Sequence, residues 1–227
     1  MQFGSFGVYH ATRAGGRFLS AAVAEVVSRI RAMPEFQPTS QDANGAPLLH
    51  RSHAQLEQSF AALTPPPADS GRLTLIVCRH APGIHEPLDH VRLTPEDGVP
   101  GDEWNRRTPR NPDAQLTVMR RDVAEMLAHG QPLTTSGDNL IVEIDISATN
   151  LPVGTRLRVG EAVVEVTPKP HNGCQKFARR FGEDALRFVH TPSIRHHNLR
   201  GIYWRVVLAG EASVGAQIQV LSRPASG

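Results

Sequence analysis

The 227-residue sequence is poor in cysteine and contains only Cys78 and Cys174. Two cysteines in a chain of this length do not form a disulfide framework, so we expect a protein of the reducing cytoplasm. No apolar run approaches the roughly 20 residues of a membrane-spanning helix, so we expect no membrane insertion. The formal net charge is only +2 and no basic run stands out, which argues against a nucleic-acid partner.

The motifs of several common enzyme classes are also missing. There is no glycine-rich phosphate loop, no G-x-S-x-G nucleophile elbow, and no C-x-x-C or H-E-x-x-H metal spacing. The eleven histidines are scattered along the chain, and lysine occurs only at positions 169 and 176. These absences disfavour a hydrolase and a zinc protein.

The first 70 residues have the pattern of helices followed by a linker. Apolar residues recur at three- and four-residue spacing over 17–33 and again over 52–63, which predicts two helices. Pro65 to Pro67 ends the second helix and begins a stiff linker. We therefore predict a helical N-terminal extension with a proline-rich linker over residues 1–70. Because two short helices cannot bury their own apolar stripes, they pack on the following domain or form a homodimer through residues 1–70.

From residue 71 the period changes to that of β-strands, which places a second domain at 71–227. Gly160-Glu161 between two alternating runs predicts a hairpin, and Val-Gly bends at Gly154 and Gly215 suit the corners of a barrel. We predict a mostly β, mainly antiparallel, barrel-like fold with a few short helices. The predicted strands are 73–78 with 88–93 as its partner, 114–119, 140–146, 155–159, 163–166 and 202–208, and the predicted helices are 122–129 and two short ones after Cys174 separated near Gly182.

Cys174 lies where a strand pattern gives way to a helix pattern. Free backbone N–H groups at a helix N-terminus, with Lys176 and Arg179 nearby, favour the thiolate over the thiol. A thiolate can ligate a soft metal or carry a sulfane sulfur as a persulfide. The alternative is that Cys174 is an inert, buried small hydrophobe. His171, three positions earlier, is either a base for this thiol or a polar loop residue.

Six motifs occur together in the order that one family shows. The order resembles that of the MOSC domain, the module named after the C-terminal part of molybdenum cofactor sulfurase, and the resemblance covers about residues 72–222. Two positions depart from its pattern: Asp138 replaces a glutamate, and Gly173 replaces the proline before the cysteine. The motifs are Gly98 to Asp102, Gln115 to Val118, Gly137 to Leu140, Leu151 to Gly154 with Val159 to Ala162, Cys174 to Phe177, and Arg200 to Tyr203 continuing to Gly215.

The resemblance implies a barrel-like β fold in which one cysteine is the key residue. Cys174 would be the catalytic residue and the ligand of the molybdenum cofactor (molybdopterin), in a protein that reduces small N-hydroxylated compounds with an electron-transfer partner. Alternatively, Cys174 would carry a persulfide received from a cysteine desulfurase, or the domain would have lost its chemistry. The residues expected to line the cofactor pocket are Asp102, Asn139, Lys176, Arg200 and His171.

Overall fold

The computed structural model describes residues 50–80 and 83–225. In these ranges the chain forms short helices and ten strands around one barrel. The helices are α1 (His53–Ala61), α2 (Arg121–Ala128), α3 (Gln175–Phe181) and α4 (Glu183–Val189). The strands are β1 (Ser70–Arg79), β2 (His85–Leu88), β3 (His90–Leu93), β4 (Leu116–Arg120), β5 (Leu140–Val142), β6 (Arg156–Val159), β7 (Ala162–Val166), β8 (Ile202–Leu208), β9 (Gly210–Ser213) and β10 (Gln217–Ser222).

Seven of these strands close into a barrel in the order β1, β10, β6, β7, β8, β4, β5 and back to β1. β2 adds an eighth strand outside the ring, on the edge of β1. The β4–β5 pair is parallel, and every other pair in this sheet is antiparallel. The mostly β, mainly antiparallel barrel predicted from the sequence is therefore confirmed. Closure pairs nearly every strand edge, which protects the sheet from edge-to-edge association.

The ends of the barrel meet where β1 begins and β10 ends. Ser70 pairs with Gln219 across the antiparallel β1–β10 ladder. Just beyond it, the Arg223 guanidinium donates hydrogen bonds to Asp69 and to the side chain of Asn150, each at 2.8 Å. The first and last strands are therefore joined by both backbone and side-chain bonds.

Two predicted strands differ from those observed. The prediction that 88–93 pairs with the first strand is wrong for most of its length, because β2 pairs with β1 whereas β3 pairs with β9. β3 instead buries Val91 and Leu93 in the barrel interior. The predicted strand 140–146 ends at Val142, although Ile144 and Ile146 are still buried. The hairpin β6–β7 forms across Gly160-Glu161 as predicted, with Val159 opposite Ala162.

The apolar side chains form two separate clusters, one on each side of the sheet. The first fills the barrel and includes Leu73, Val118 and Trp204. The second lies between the outer face of β4–β5 and the helices, and it includes Ile141 and Phe188. Because β5 contributes to both clusters, all three of its residues are buried, as is usual for a parallel strand covered on both faces.

Helix α1 forms within the predicted range 52–63 and begins at a capping box, in which Ser52 and Gln55 each bond the other's backbone N–H. Leu56 is buried in the helical cluster, and the Phe60 ring lies edge-on to that of Phe188 at 6.0 Å. Residues 50–70 thus pack on the barrel domain. The predicted helix 17–33 lies outside the described residues, and the boundary near 65–71 stays a prediction. Within residues 50–80 and 83–225, no helix is long and apolar enough to span a membrane.

Candidate functional site

Cys174 lies at the junction predicted from the sequence, between strand β7 and helix α3. The chain leaves β7 at Val166, runs through a loop, and enters α3 at Gln175. Cys174 is the residue that precedes the helix, and its carbonyl oxygen accepts the first helical hydrogen bond, from Ala178, at 3.0 Å. Its side chain is exposed, whereas the Cys78 side chain is buried in the barrel. Cys174 is therefore the cysteine whose thiol can reach a ligand or partner.

The surroundings of Cys174 stabilise its thiolate. Partial burial would by itself raise the pKa of the thiol. The backbone N–H groups of Phe177 and Lys176 face the sulfur and oppose this effect. The positive charges of Arg200 and Lys176 act in the same direction, so the pKa of Cys174 lies below its ordinary value.

Two contacts hold Arg200 beside the cysteine loop, which is the segment that runs from β7 to Cys174. One nitrogen of its guanidinium, Nη1, donates to both carboxylate oxygens of Asp138 at 3.0 Å. The guanidinium also lies over the Phe177 ring, 5.0 Å from its centroid. Since Phe177 belongs to the first turn of α3, these contacts fix a positive charge next to the start of that helix. The Nε of Arg200 is buried and has no hydrogen-bond partner among the described residues.

His171 is a buried neutral residue in the same cluster. Its side chain is only 6% exposed, and its Nε2 lies 3.8 Å from an oxygen of Asp138. Burial, reinforced by the charge of Arg200, lowers the pKa of His171 to about 3, so the ring is neutral at pH 7. The ring packs against Tyr203 with centroids 4.4 Å apart, and its Nδ1 has no partner among the described residues. His171 therefore offers one neutral nitrogen for hydrogen bonding and does not add a charge.

Asp102 and Asn139 lie together in a buried network that links the end of β1 with the starts of β4 and β5. Asp102 accepts hydrogen bonds from the backbone and side chain of Arg79, from the Trp104 N–H, and from the Asn139 amide at 3.0 Å. Asn139 also donates to the Val77 carbonyl and accepts from the backbone and hydroxyl of Thr117. All hydrogen-bonding atoms of both side chains are thus engaged inside the protein. Their geometry orients the loops of the site and leaves no free atom for a ligand.

Two arginines that were not predicted from the sequence motifs belong to this cluster. Arg79 ends strand β1 and forms the buried ion pair with Asp102 at 2.6 Å. Arg180 lies on α3, donates to the Ser136 carbonyl at 2.7 Å, and has a pKa lowered by burial. Arg79 could have been singled out in the sequence, because it is a charged residue at the end of an otherwise apolar strand. Arg180 could not be singled out in this way, because it follows Arg179 in the same helix. The sequence does not show that Arg180 faces the protein whereas Arg179 faces solvent.

Gly173 lets the cysteine loop pack directly on helix α4. A Cβ atom at this position would lie 2.6 Å from Leu186 Cδ1 and 3.2 Å from His190 Cε1. Such distances are shorter than carbon atoms tolerate without movement of a neighbour. The loop is therefore positioned by close contact with α4 at the point where the family pattern has proline.

Cavities and metal-binding clusters elsewhere do not compete with this site. A cavity of about 840 Å³ lies between Pro65–Pro67 and strand β5, but it contains no cysteine or histidine. Two of its arginines are paired with neighbouring carboxylates, Arg120 with Asp122 and Arg121 with Glu125 and Glu143. Over residues 50–80 and 83–225, no group of three histidine, cysteine or acidic side chains could hold a metal ion.

Comparison with known proteins gives the family. A model of the MOSC domain matches residues 101–219, more than half of the chain and within the range of the sequence resemblance. The chain belongs to the MOSC domain family. This family is associated with binding of the molybdenum cofactor. The family resemblance predicted from the six ordered motifs is thus confirmed, and the barrel is that of a MOSC domain.

Individual relatives of this MOSC protein share limited sequence identity with it. The uncharacterized protein YflK of Bacillus subtilis is 32% identical over 99 residues, which are 43% of this chain and 42% of YflK, so the match spans less than half of that relative's length. The crystal structure of the YuaD protein from Bacillus subtilis superimposes with a TM-score of 0.50 at 14% identity, covering 66% of this chain and 95% of YuaD. A crystal structure of a hypothetical protein gives a TM-score of 0.50 at 23% identity, covering 69% and 71% of the two chains. These structures share the fold.

Proposed function

We propose that this MOSC protein binds the molybdenum cofactor through Cys174 and reduces small N-hydroxylated compounds. The observation that carries the proposal is the exposed Cys174 thiol, with a lowered pKa, at the start of α3 beside Arg200. A thiolate is a soft ligand of the kind that binds soft transition metals. Loss of its proton is needed for metal ligation, and the lowered pKa favours that loss at neutral pH.

The residues around Cys174 fit an anionic cofactor. Lys176 and Arg200 would neutralise its phosphate, because both place positive charge near the sulfur. When bound, the cofactor supplies the metal centre through which electrons reach the substrate. Asp102 and Asn139 have no free atoms, so we assign them the role of fixing the loops of the pocket.

Metal analysis after reconstitution tests this proposal. Full-length protein would be incubated with molybdenum cofactor, desalted, and analysed for molybdenum by mass spectrometry and for pterin by fluorescence. We expect both in wild-type protein and in Cys78→Ala, and neither in Cys174→Ser. Absence of molybdenum and pterin from the wild-type protein would refute cofactor binding. Reduction of a small N-hydroxylated compound by the loaded protein, with a chemical electron donor, then tests the enzymatic part.

A second candidate function is sulfur carriage by Cys174, favoured by the exposure of its thiol. The Cys174 thiolate would attack the terminal sulfur of a desulfurase persulfide, R–S–SH. The S–S bond of the donor breaks, R–S⁻ leaves, and Cys174 becomes Cys–S–SH without any external oxidant. Intact-protein mass spectrometry after incubation with a cysteine desulfurase and free cysteine should show one added sulfur atom. The same incubation of Cys174→Ser should show none, and an equal gain in that variant would exclude this function.

The partners and the location predicted from the sequence are part of this proposal. We propose a cytoplasmic protein that works with an electron-transfer partner, or with a cysteine desulfurase in the second case. We also propose a homodimer formed through residues 1–70. Sedimentation of the full-length protein should then give a dimer, whereas a variant beginning at residue 50 should give a weaker one or a monomer.

A further inference from the structure

A second pocket lies beside the candidate site. It has a volume of about 320 Å³ and is lined by the loops 167–172 and 198–202, by residues 151–153, and by Arg195, among others. We call it the basic pocket. Its size falls at the lower end of the roughly 300–1,000 Å³ range of small-molecule sites. Cys174 does not line it.

The charged side chains that line the basic pocket are all positive. Lys169, Arg195 and Arg200 line it, and none of its described lining residues is acidic. Within the described part of the chain, neither Lys169 nor Arg195 forms an ion pair. Arg200 is the exception, since its Nη1 is bound to Asp138. A concave wall with three cations and no carboxylate of its own concentrates anions.

Two buried nitrogens at the inner wall lack partners. They are Arg200 Nε and His171 Nδ1, and the His171 side chain is more than nine-tenths buried. His171 Nδ1 lies next to Gly201, another lining residue, because a Cβ added there would be 3.2 Å from it. Buried polar atoms of proteins are normally hydrogen-bonded. A ligand oxygen is therefore expected at this wall, as an acceptor for Arg200 Nε–H and as a partner for the neutral imidazole.

Part of the lining of the basic pocket is apolar. Its lining residues include Leu151, Pro152 and Val153, and Val153 is 53% exposed, which is high for a large apolar residue. Small-molecule sites commonly combine such an apolar wall with a few convergent polar groups. The pocket thus has one wall for an anionic group and one for a hydrocarbon body.

We propose that the basic pocket binds a small organic anion. Its phosphate or carboxylate group lies at Arg200 and His171, and its apolar body lies against Pro152 and Val153. The site is separate from the thiol chemistry at Cys174, although Arg200 belongs to both. Its ligand is therefore a candidate substrate or effector, distinguished from the molybdenum cofactor by not requiring the cysteine.

Isothermal titration calorimetry of the full-length protein tests the proposal. The probes are phenyl phosphate and benzoate as organic anions, inorganic phosphate as the anion alone, and benzyl alcohol as the uncharged body alone. We expect one of the two organic anions to bind more tightly than both inorganic phosphate and benzyl alcohol. The tighter organic anion identifies the head group.

Variants locate the binding. Lys169→Gln and Arg195→Gln should each lower the affinity for the preferred organic anion about fivefold, as expected for loss of one partly solvated charge contact. Arg92→Gln removes the same charge from an exposed position on β3, outside the pocket, and should bind as wild type does. Cys174→Ser should also bind as wild type does, so failure of molybdenum binding would leave this result unaffected. Equal binding of benzyl alcohol, no saturable binding of either organic anion, unchanged affinity in both pocket variants, or lost affinity in Cys174→Ser would each overturn the proposal.

Discussion

Arg200 binds both carboxylate oxygens of the fully buried Asp138 through a single nitrogen, each at 3.0 Å. Removing the carboxylate would leave the Arg200 charge in a poorly solvated place. We therefore expect Asp138→Asn to lower the free energy of unfolding by about 3–5 kcal/mol, measured by urea denaturation. Asp69→Asn breaks an exposed pair with Arg223 and should cost less than about 1 kcal/mol. Equal effects of the two substitutions would contradict the buried-pair interpretation.

The Asn139 side chain makes four hydrogen bonds to three buried residues. Asn139→Ala would leave the Val77 carbonyl and one Asp102 oxygen with fewer donors, and Thr117 without its acceptor. Each buried group left unpaired costs about 1–3 kcal/mol, so we expect a loss of about 3 kcal/mol or more in the free energy of unfolding. Asn172→Ala, at an exposed loop position, serves as the control and should change stability little. A small effect at Asn139 would mean that the network is not structural.

Gly173 and Leu186 form a contact that a methyl group would disturb. We expect Gly173→Ala to destabilise the protein by about 1–3 kcal/mol, because the new Cβ would lie 2.6 Å from Leu186 Cδ1. In the double variant with Leu186→Ala the clash is removed, so thermal or urea unfolding should show less destabilisation than the sum of the single changes. Strict additivity would show that the contact does not position the loop.

His171 makes the stability depend on pH. Its pKa is about 3 in the folded protein, against an ordinary value near 6.5 in the unfolded chain. Folding therefore favours the neutral ring, and this contribution is complete above about pH 6.5 and is lost as the pH falls toward 3. Relative to His171→Gln, the wild-type protein should lose about 2 kcal/mol more in the free energy of unfolding between pH 7 and pH 5. The difference between the two proteins should be constant above pH 7, and a constant difference down to pH 5 would contradict the assignment.

Cys174 should react as a thiolate at lower pH than an ordinary cysteine. The midpoint of its alkylation by iodoacetamide, followed by mass spectrometry of the labelled peptide, should lie below that of a model peptide thiol. Lys176→Gln removes one stabilising charge and should move the midpoint upward, whereas Lys176→Arg should keep it near the wild-type value. A midpoint unaffected by Lys176→Gln would mean that the helix N–H groups and Arg200 suffice.

The sequence indicated those features that depend on neighbours along the chain. Gly160-Glu161 between alternating runs predicted the β6–β7 hairpin, and the change of period at Cys174 placed the thiol at the start of a helix. The pairing of β3 with β9 and the parallel β4–β5 pair were not predictable in this way, because local alternation does not encode the partner strand.

The same distinction applies to the site. The motifs brought attention to Asp102 and Asn139, but their mutual hydrogen bond and their saturation by Arg79 and Thr117 depend on the closed barrel. Likewise, the close packing at Gly173 could not be predicted from the sequence, because Leu186 reaches it only through the packing of α4. Buried polar partners and close contacts are properties of the tertiary structure.

The bonds from Arg223 to Asp69 and Asn150 place the entry and exit of the barrel at one point. Residues 69 and 223 therefore stay within one side-chain contact of each other only while β1 and β10 are paired. A donor and acceptor pair of fluorophores attached at these two positions would report on unfolding of the barrel.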